Sequence, residues 1–540
     1  MMIYIRSLHI ENYKCYENVD VEFNNSTNII VGNNEAGKST IIEALNLCLS
    51  GLVNGRYIKN ELNEYFFNRD AVEKYRQNTN AIPPHILIEV YLDTTDSDEL
   101  NKVFANLKGS RNSKKQDTFG IKLRITLDEN YSDEYAAFKQ VNSNQNVPIE
   151  YYRIEWKSFA DQEITSRSIP IKPNIIDSSG TKYKNGSDYY ISKIISNRLD
   201  KSEQIALMQA FRELKESFKS GDNLTAINGK IAKDSAISGK NVSVSVNTTE
   251  MNAWENILMT YFDDIPFTQI GQGEQSIIKT NLALSNIRED ICNVVLIEEP
   301  ENHLAHTNLN SLLKTIEESN KDRQIIITTH SSFVANKLGL SNLIFLNKRK
   351  PYYFKVIDES TQMYFRKLAG FETLRLILSD RAILVEGPSD ELIVQKAYMK
   401  KHNGHLPIQD NIDVISVKGI QAKRFLTLVG DLPIRIAVVT DNDGDYDNNI
   451  TAKYKGFTEK DNIEVFSNKD NNQPTLEPSF VTCNDEERLK KFLNYNGQKD
   501  IDDYMQTCKS EWAYKVFSEE NDFSFPQYIN DCIDWIEKNE

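Results

Sequence analysis

Asn28-Ile29-Ile30-Val31-Gly32-Asn33-Asn34-Glu35-Ala36-Gly37-Lys38-Ser39-Thr40 is the stretch that decides the fold. Its apolar run reads as a strand. Gly32 to Ser39 match the pattern G-x-x-x-x-G-K-S/T in full. Ser39 to Ser50 then reads as a helix with Ile41, Ile42, Leu45 and Leu49 on one face. A strand feeding a Gly-rich loop that opens a helix is a phosphate cradle, because the glycines let N–H groups turn inward and the helix N-terminus favours negative charge. Lys38 is expected to reach the β/γ-phosphates and the Ser39 hydroxyl to ligate Mg²⁺, with Gly32 to Thr40 forming the nucleotide site. The competing reading, an ordinary Gly turn, does not account for the flanking strand and helix.

Moving outward, Ile3, Ile5, Leu8 and Ile10 alternate with polar neighbours, as do Val19, Val21 and Phe23. Two strands are expected, with a turn near Asn12–Asn18. Further strands are expected at Ile86–Leu92, Ile121–Leu127 and Tyr152–Trp156. Val294-Val295-Leu296-Ile297 reads as a buried strand delivering Glu298 and Glu299 to its C-terminal end. Glu298 suits an Mg²⁺ shell, and Glu299 suits orienting or deprotonating an attacking water. Ile325 to Thr328 reads as another strand, with His330 at its end. Alone, His330 reads as a structural hydrogen-bonder; beside the other motifs, it reads as a γ-phosphate sensor. A helix carrying Leu304, Leu309, Leu312, Leu313 and Ile316 lies between these strands. Gly271-Gln272-Gly273, before the apolar helix Ile277–Leu284, offers a second anion cradle or a simple turn.

A second constellation lies downstream. Ala382-Ile383-Leu384-Val385 reads as a buried strand, followed by Glu386-Gly387-Pro388-Ser389-Asp390. Ile434 to Val439 reads as another, ending in Thr440-Asp441-Asn442-Asp443-Gly444-Asp445. If the strands are neighbours, Glu386, Asp390, Asp441 and Asp443 converge at one sheet edge. Like charges this close repel unless a cation neutralises them. An all-oxygen donor set suits Mg²⁺, Mn²⁺ or Ca²⁺. The bland alternative is an acidic solvated loop. An EF-hand reading lacks its terminal Glu.

Lys and Arg number 63 and Asp and Glu 78, a net charge of −15, which argues against a nonspecific nucleic-acid coat but not against a nucleic-acid enzyme with local basic ground. The six cysteines form no C-x-x-C pair, so neither a disulfide framework nor a zinc site is indicated and a reducing cytoplasm is expected. The Asn25-Ser26-Thr27 sequon then carries no meaning. No apolar run approaches the ~20 residues of a membrane helix, and Met1 to Arg6 leads straight into strand-like residues, so no membrane association or signal peptide is expected. From Asp188 to Ser220 the pattern is helical, and the Ser-, Asn-, Gly- and Lys-rich residues 221–249 read as loop.

The order of motifs resembles the ABC-type ATPase head of the SMC/RecF group, as does the opening Ile5-x-x-Leu8-x-Ile10-x-Asn12-Tyr13-Lys14. The resemblance implies ATP held between two heads, with Gly271 and Gly273 of one reaching the nucleotide of the other, hence a homodimer or higher homo-oligomer. Gly271 stands where that group has Ser, and Gln272 where Gly is common. Glu298 stands where the group has Asp. Both departures imply that ATP acts more as a conformational ligand than as fuel. The second constellation resembles the TOPRIM fold, and head plus TOPRIM is the arrangement of the OLD (overcoming lysogenization defect) family. That implies Glu477 of Thr475-Leu476-Glu477 as a further metal ligand, and an essential lysine at Lys509, with Lys515 in reserve. Lys418-Gly419 reads as a phosphate contact or a turn.

The expected architecture is therefore multidomain α/β: an ATPase head lobe at residues 1–185, a helical dimerisation insertion at 186–250, the second head lobe at 251–370 and a Rossmann-like TOPRIM domain at 371–540. The expected activity is ATP-regulated DNA cleavage with two Mg²⁺ or Mn²⁺ ions (Ca²⁺ as a non-catalytic substitute) as an effector of anti-phage defence. A partner protein or RNA–protein complex is compatible with this. RNA as substrate stays open, since two-metal chemistry is indifferent to the 2′-OH unless a contact reads it. The rival is a DNA-repair or signalling ATPase whose TOPRIM domain binds without cutting.

Overall fold

The computed structural model describes residues 3–53, 55–78, 81–94, 104–141, 146–166, 168, 169, 171–177, 200–234, 244, 261–285, 292–318, 323–354, 359–367, 373–417, 422–429, 432–519 and 522–538. The chain divides into two compact units, Met1–Thr329 with Lys348–Pro351, and His330–Asn347 with Tyr352–Glu540. No helix among the described residues is long and apolar enough to cross a membrane.

The first unit is built on two sheets. In the antiparallel one, Ile3–Tyr13 lies between Tyr16–Glu22 and Ile86–Thr94, and Thr118–Leu127 and Tyr152–Ser158 continue the order. The turn expected near Asn12–Asn18 is tighter than its polar residues imply. The strands run on to Tyr13 and resume at Tyr16, because Asn12 and Lys14 adopt positive φ of 52° and 48°. In the second sheet, Ile171–Asp177, Cys292–Glu298, Gln324–Thr328 and Thr27–Gly32 run parallel in that order. Their carboxyl ends, which carry the phosphate-loop glycine and Glu298, therefore share one edge.

The helix Lys38–Ser50 packs against strands of both sheets. The sequence shows one apolar face on it, yet Ile41, Ile42, Ala44, Leu45, Leu47, Cys48 and Leu49 are all buried. Burial that spreads this far round a helix, sparing Glu43 and Asn46, means that it is covered on more than one side. Trp156 Nε1 donates to Cys48 O at 2.9 Å, tying the helix to the antiparallel sheet. Gln324, fully buried, joins the two sheets: its amide donates to Ile5 O at 2.8 Å and accepts from Ile5 N at 2.8 Å. Such a buried amide is stable only because its partners are present.

Of the helical stretch expected from Asp188, residues 188–199 lie outside the described residues, and the helix Lys201–Lys219 carries the remainder. A second helix, Asp222–Asp234, stands where loop was expected. Leu224, Ile227 and Ile231 recur at helical spacing there, under a composition dominated by Asn, Gly and Lys. Leu304 lies in the turn before its helix, which starts at His306.

In the second unit Ile412–Ser416, Arg381–Val385, Arg435–Val439 and Ile463–Phe466 form a parallel four-stranded sheet in that order. Strand Arg381–Val385 directly neighbours Arg435–Val439, with Val385 opposite Val439, as the convergence of acids requires. The helices Pro388–Lys401, Lys509–Ser518 and Gln527–Glu537 contribute to one core with this sheet, around Phe480, Trp512, Phe523 and Phe525. Phe480 lies 5.2 Å from the Trp512 ring and 6.0 Å from Phe525, centroid to centroid. Phe480→Ala should cost about 3–5 kcal/mol and lower the urea midpoint of the second unit. A midpoint equal to wild type by circular dichroism would refute that packing.

Candidate active site

In the first unit the phosphate loop closes on itself. Lys38, 7 % exposed, donates through Nζ to Gly32 O at 2.8 Å and Asn33 O at 3.1 Å. Burial lowers its pKa, opposed by the charges of Glu299 and Glu301. Those two acids therefore face the same space as the amine, and Glu301 is a member to which the strand-end pattern gave no role. Thr329 Oγ1 donates to Glu301 Oε1 at 2.6 Å, and Asn302 Nδ2 to Glu299 Oε2 at 2.8 Å. Glu299 adopts φ 44°, an uncommon conformation for a residue with a side chain, and its amide donates to Thr328 O at 2.9 Å. Glu298 is half-buried at the strand end, while Asn33, Asn34, Glu35 and Ser39 are exposed and Ala36 buried.

A residue absent from the sequence reading shapes this loop. The Tyr16 hydroxyl donates to Ala36 O at 3.2 Å, and its ring stands where a side chain on Gly37 would be. Gly37 has φ 97°, so it must be glycine on both counts. Thr40 accepts a weak S–H bond from Cys15 at 3.5 Å. Gly271 immediately precedes the helix Gln272–Ser285. A Cβ on Gly273 would stand 2.4 Å from His303 O, so this glycine permits close packing as well as offering a cradle. His330 is exposed and is the first residue of the second unit.

In the second unit, Glu386 follows its strand, Asp390 sits in the first turn of the helix Pro388–Lys401, Asp441 follows the neighbouring strand and Glu477 opens the helix Leu476–Thr482. Three of the four carboxylates are held locally. Gly387 N donates to Asp390 Oδ2 at 3.1 Å, Asp441 N to Glu386 Oε1 at 3.0 Å, and Thr475 Oγ1 to Glu477 Oε2 at 2.8 Å. Thr440 Oγ1 also donates to Glu386. Burial, then the charges of Glu386 and Glu477, push Asp390 up to about 7. Burial, then Asp390, Glu386 and Glu477, push Asp441 up to about 9, against the lowering pull of Lys509.

Lys509 Nζ lies 3.6 Å from Glu477 Oε1. Lys515 is committed elsewhere, donating to Phe492 O. The geometry thus separates the two lysines that sequence alone left open. The Tyr528 phenol, at the start of the last helix, is raised well above its ordinary range by burial and by Asp441, Asp390 and Glu477, so it faces the same acids.

Two expectations need correction. Asp443 does not join the cluster: it is exposed at φ 49°, its amide bonded to Pro474 O at 3.2 Å, and it is not among the charges that raise Asp390 or Asp441. The turn at Asp443-Gly444 directs it away from the rim. Nor do the acids form a ready coordination sphere, since among the described residues no group of three His, Cys, Asp or Glu side chains is set for one metal ion. Glu386, Asp390 and Glu477 are each held by their own donors, and the four acids share a field. Lys418 and Gly419 lie outside the described residues.

The donor set nonetheless fits divalent cations. Asp413 shows how this unit treats a structural acid, because Arg375 forks onto its carboxylate at 2.6–3.1 Å. The rim acids receive no arginine among the described residues, and Lys509 is their one cation within 4 Å. Four hard-oxygen acids and one ammonium leave a strong negative potential.

Residues 2–335 match the AAA ATPase domain family. Residues 377–443 match the TOPRIM domain of the overcoming lysogenization defect protein-like family. The chain is similar to endonuclease GajA of Bacillus cereus (strain HuB5-5), at 22 % identity over an alignment of 618 residues covering 94 % of this chain and 87 % of that protein. It is also similar to endonuclease GajA of Bacillus cereus (strain VD045), at 22 % identity over 480 residues covering 81 % of this chain and 74 % of that one. The protein named Retron Vc95 probable ATPase, of Vibrio cholerae serotype O1 biovar El Tor, is 21 % identical over 439 residues, covering 74 % and 83 % of the two chains. With that AAA ATPase domain over most of its length, the chain belongs to the AAA ATPase domain family, and it carries an OLD-like TOPRIM domain behind it.

Proposed function

We propose that the protein is a divalent-metal-dependent DNA endonuclease whose cutting is governed by ATP. The observation that carries the reading is the rim of four acids with one ammonium, at the carboxyl ends of two adjacent parallel strands. The similarity to endonuclease GajA supports it. Glu386, Asp390, Asp441 and Glu477 would hold the cations, with Asp443 left to a solvent-side contact. Two bound divalent cations supply an activated water and charge neutralisation at the phosphodiester.

The chain's own residues do the rest. Gly387 N–H, Thr440 and Thr475 orient the carboxylates before any ligand arrives, so little reorganisation remains. Lys509, half-exposed beside Glu477, is placed to offset charge that builds on the phosphate. The Tyr528 phenol keeps its proton under these acids and so has an O–H to donate.

In the first unit, Lys38, Ser39 and the loop amides would bind ATP, with Glu298 toward its Mg²⁺ and Glu299, oriented by Asn302, toward a water. His330 would sense the γ-phosphate, and Gly271 and Gly273 would complete the site across a homodimer, as the family resemblance implies. That resemblance also supports a role in anti-phage defence, and the cysteine usage a cytoplasmic one.

Asp441→Asn should abolish nicking of supercoiled plasmid in Mg²⁺ or Mn²⁺. It should also raise the thermal midpoint in EDTA, by about 2–4 °C for each kcal/mol of repulsion relieved. Retained cutting by the purified variant would remove these acids from the active site. A lowered midpoint would show that they do not repel.

Lys38→Ala should leave cutting without ATP near wild type while removing its response to ATP. Identical cleavage by both proteins across an ATP titration would reject nucleotide control.

A further inference from the structure

The solvent face of the first unit's antiparallel sheet carries a cavity of about 640 Å³. Strand register builds its floor: Glu11 stands beside Leu87 and Leu87 beside Arg124, while His9 stands beside Glu89 and Glu89 beside Lys122. The alternate residues Ile10, Ile88 and Leu123 are buried on the opposite face, so polar groups are forced outward.

One wall is the segment that links Lys108–Gly109 to Thr118–Leu127, and it is fastened at its middle. Ser113 N donates to both carboxylate oxygens of Glu89 at 3.0 Å, Ser113 Oγ at 2.6 Å and Tyr91 OH at 2.8 Å. That clasp holds Arg111 and Lys115, two residues to either side, at the cavity. Lys122 Nζ, donating to Arg111 O at 3.0 Å, braces the same wall.

The charge here has the opposite sign from the chain as a whole. Arg111, Lys115, Lys122 and Arg124 line the cavity with two acids, and Asp161, 3.7 Å from Lys122 Nζ, lies beside it. Glu89 is 1 % exposed and spent on the clasp, and Glu11 is bracketed by His9 at 3.0 Å and His85 at 3.1 Å. Lys115 and Arg124 are exposed and form no ion pair or side-chain hydrogen bond among the described residues. In a chain of net charge −15, exposed uncommitted cations at one cavity need a reason. Among the described residues no phenylalanine, tyrosine or tryptophan lines it, so none of these stacks a base there. Cations without stacking platforms hold phosphates and read no sequence.

We propose that this cavity binds the phosphodiester backbone of DNA as a sequence-independent contact of the ATPase unit, an inference that rests on reading the chain as a DNA endonuclease. A −15 chain repels DNA over most of its surface, so the substrate must be drawn to a place where the field reverses.

The test uses the full chain carrying Lys115→Glu and Arg124→Glu, both exposed, with binding of a labelled duplex followed by fluorescence anisotropy in EDTA over a salt series. The double variant should bind about tenfold or more weakly, and its slope of log affinity against log salt should fall by about two, one per lost phosphate contact. Its thermal midpoint and ATP affinity should match wild type. Wild-type affinity and slope in the variant would overturn the proposal, and so would weaker binding with an unchanged slope. Plasmid nicking by wild type separates the two claims. A protein that cuts but ignores the double substitution loses the cavity and keeps the nuclease; one that shows the slope change but never cuts keeps the cavity and loses the nuclease.

Discussion

Four carboxylates cannot share one buried rim at neutral pH unless something positive joins them, and that constraint organises the second unit. Burial and mutual repulsion raise Asp390 to about 7 and Asp441 to about 9. A fold selected only for stability would replace such acids or pair them, as it pairs Asp413 with Arg375. Here one half-exposed lysine is offered instead. The unit is left carrying charge at the carboxyl edge of its sheet, where parallel α/β folds place their chemistry.

The same geometric device appears twice. In each unit a parallel sheet gathers strand ends that are distant in sequence onto one edge. In the first, Gly32 and Glu298 arrive there on strands separated by Gln324–Thr328. In the second, Glu386 and Asp441 arrive on adjacent strands. The supporting contacts differ in kind. The phosphate loop is shaped by packing, with Tyr16 against Gly37, whereas the acid rim is shaped by hydrogen bonds from Gly387, Thr440 and Thr475. Packing fixes a backbone that must cradle a ligand through its amides. Hydrogen bonds fix side chains that would otherwise swing apart under their own charge.

Much of this was legible in the sequence. Apolar runs ending in chemistry located Thr27–Gly32, Cys292–Glu298, Gln324–Thr328, Arg381–Val385 and Arg435–Val439, though not Ile171–Asp177 or Ile463–Phe466, because a buried strand is a local pattern. What sequence could not give was direction. Asp443 belongs to the same Asp-Asn-Asp run as Asp441, yet a positive φ turns it to solvent. Lys509 and Lys515 lie on one helix, and only tertiary contact shows one beside Glu477 and the other on Phe492 O. Tyr16 and Tyr528 were invisible as site residues for the same reason: both act through long-range contacts that leave no spacing signature. The helix Asp222–Asp234 was missed because its composition outweighed three apolar residues at helical spacing.

The most direct test of the account is where a divalent ion goes. Anomalous diffraction at the manganese edge, from crystals of the full chain equilibrated with Mn²⁺, should place strong peaks among Glu386, Asp390, Asp441 and Glu477. Peaks confined to other carboxylates, with those four side chains unmoved and unliganded, would contradict it.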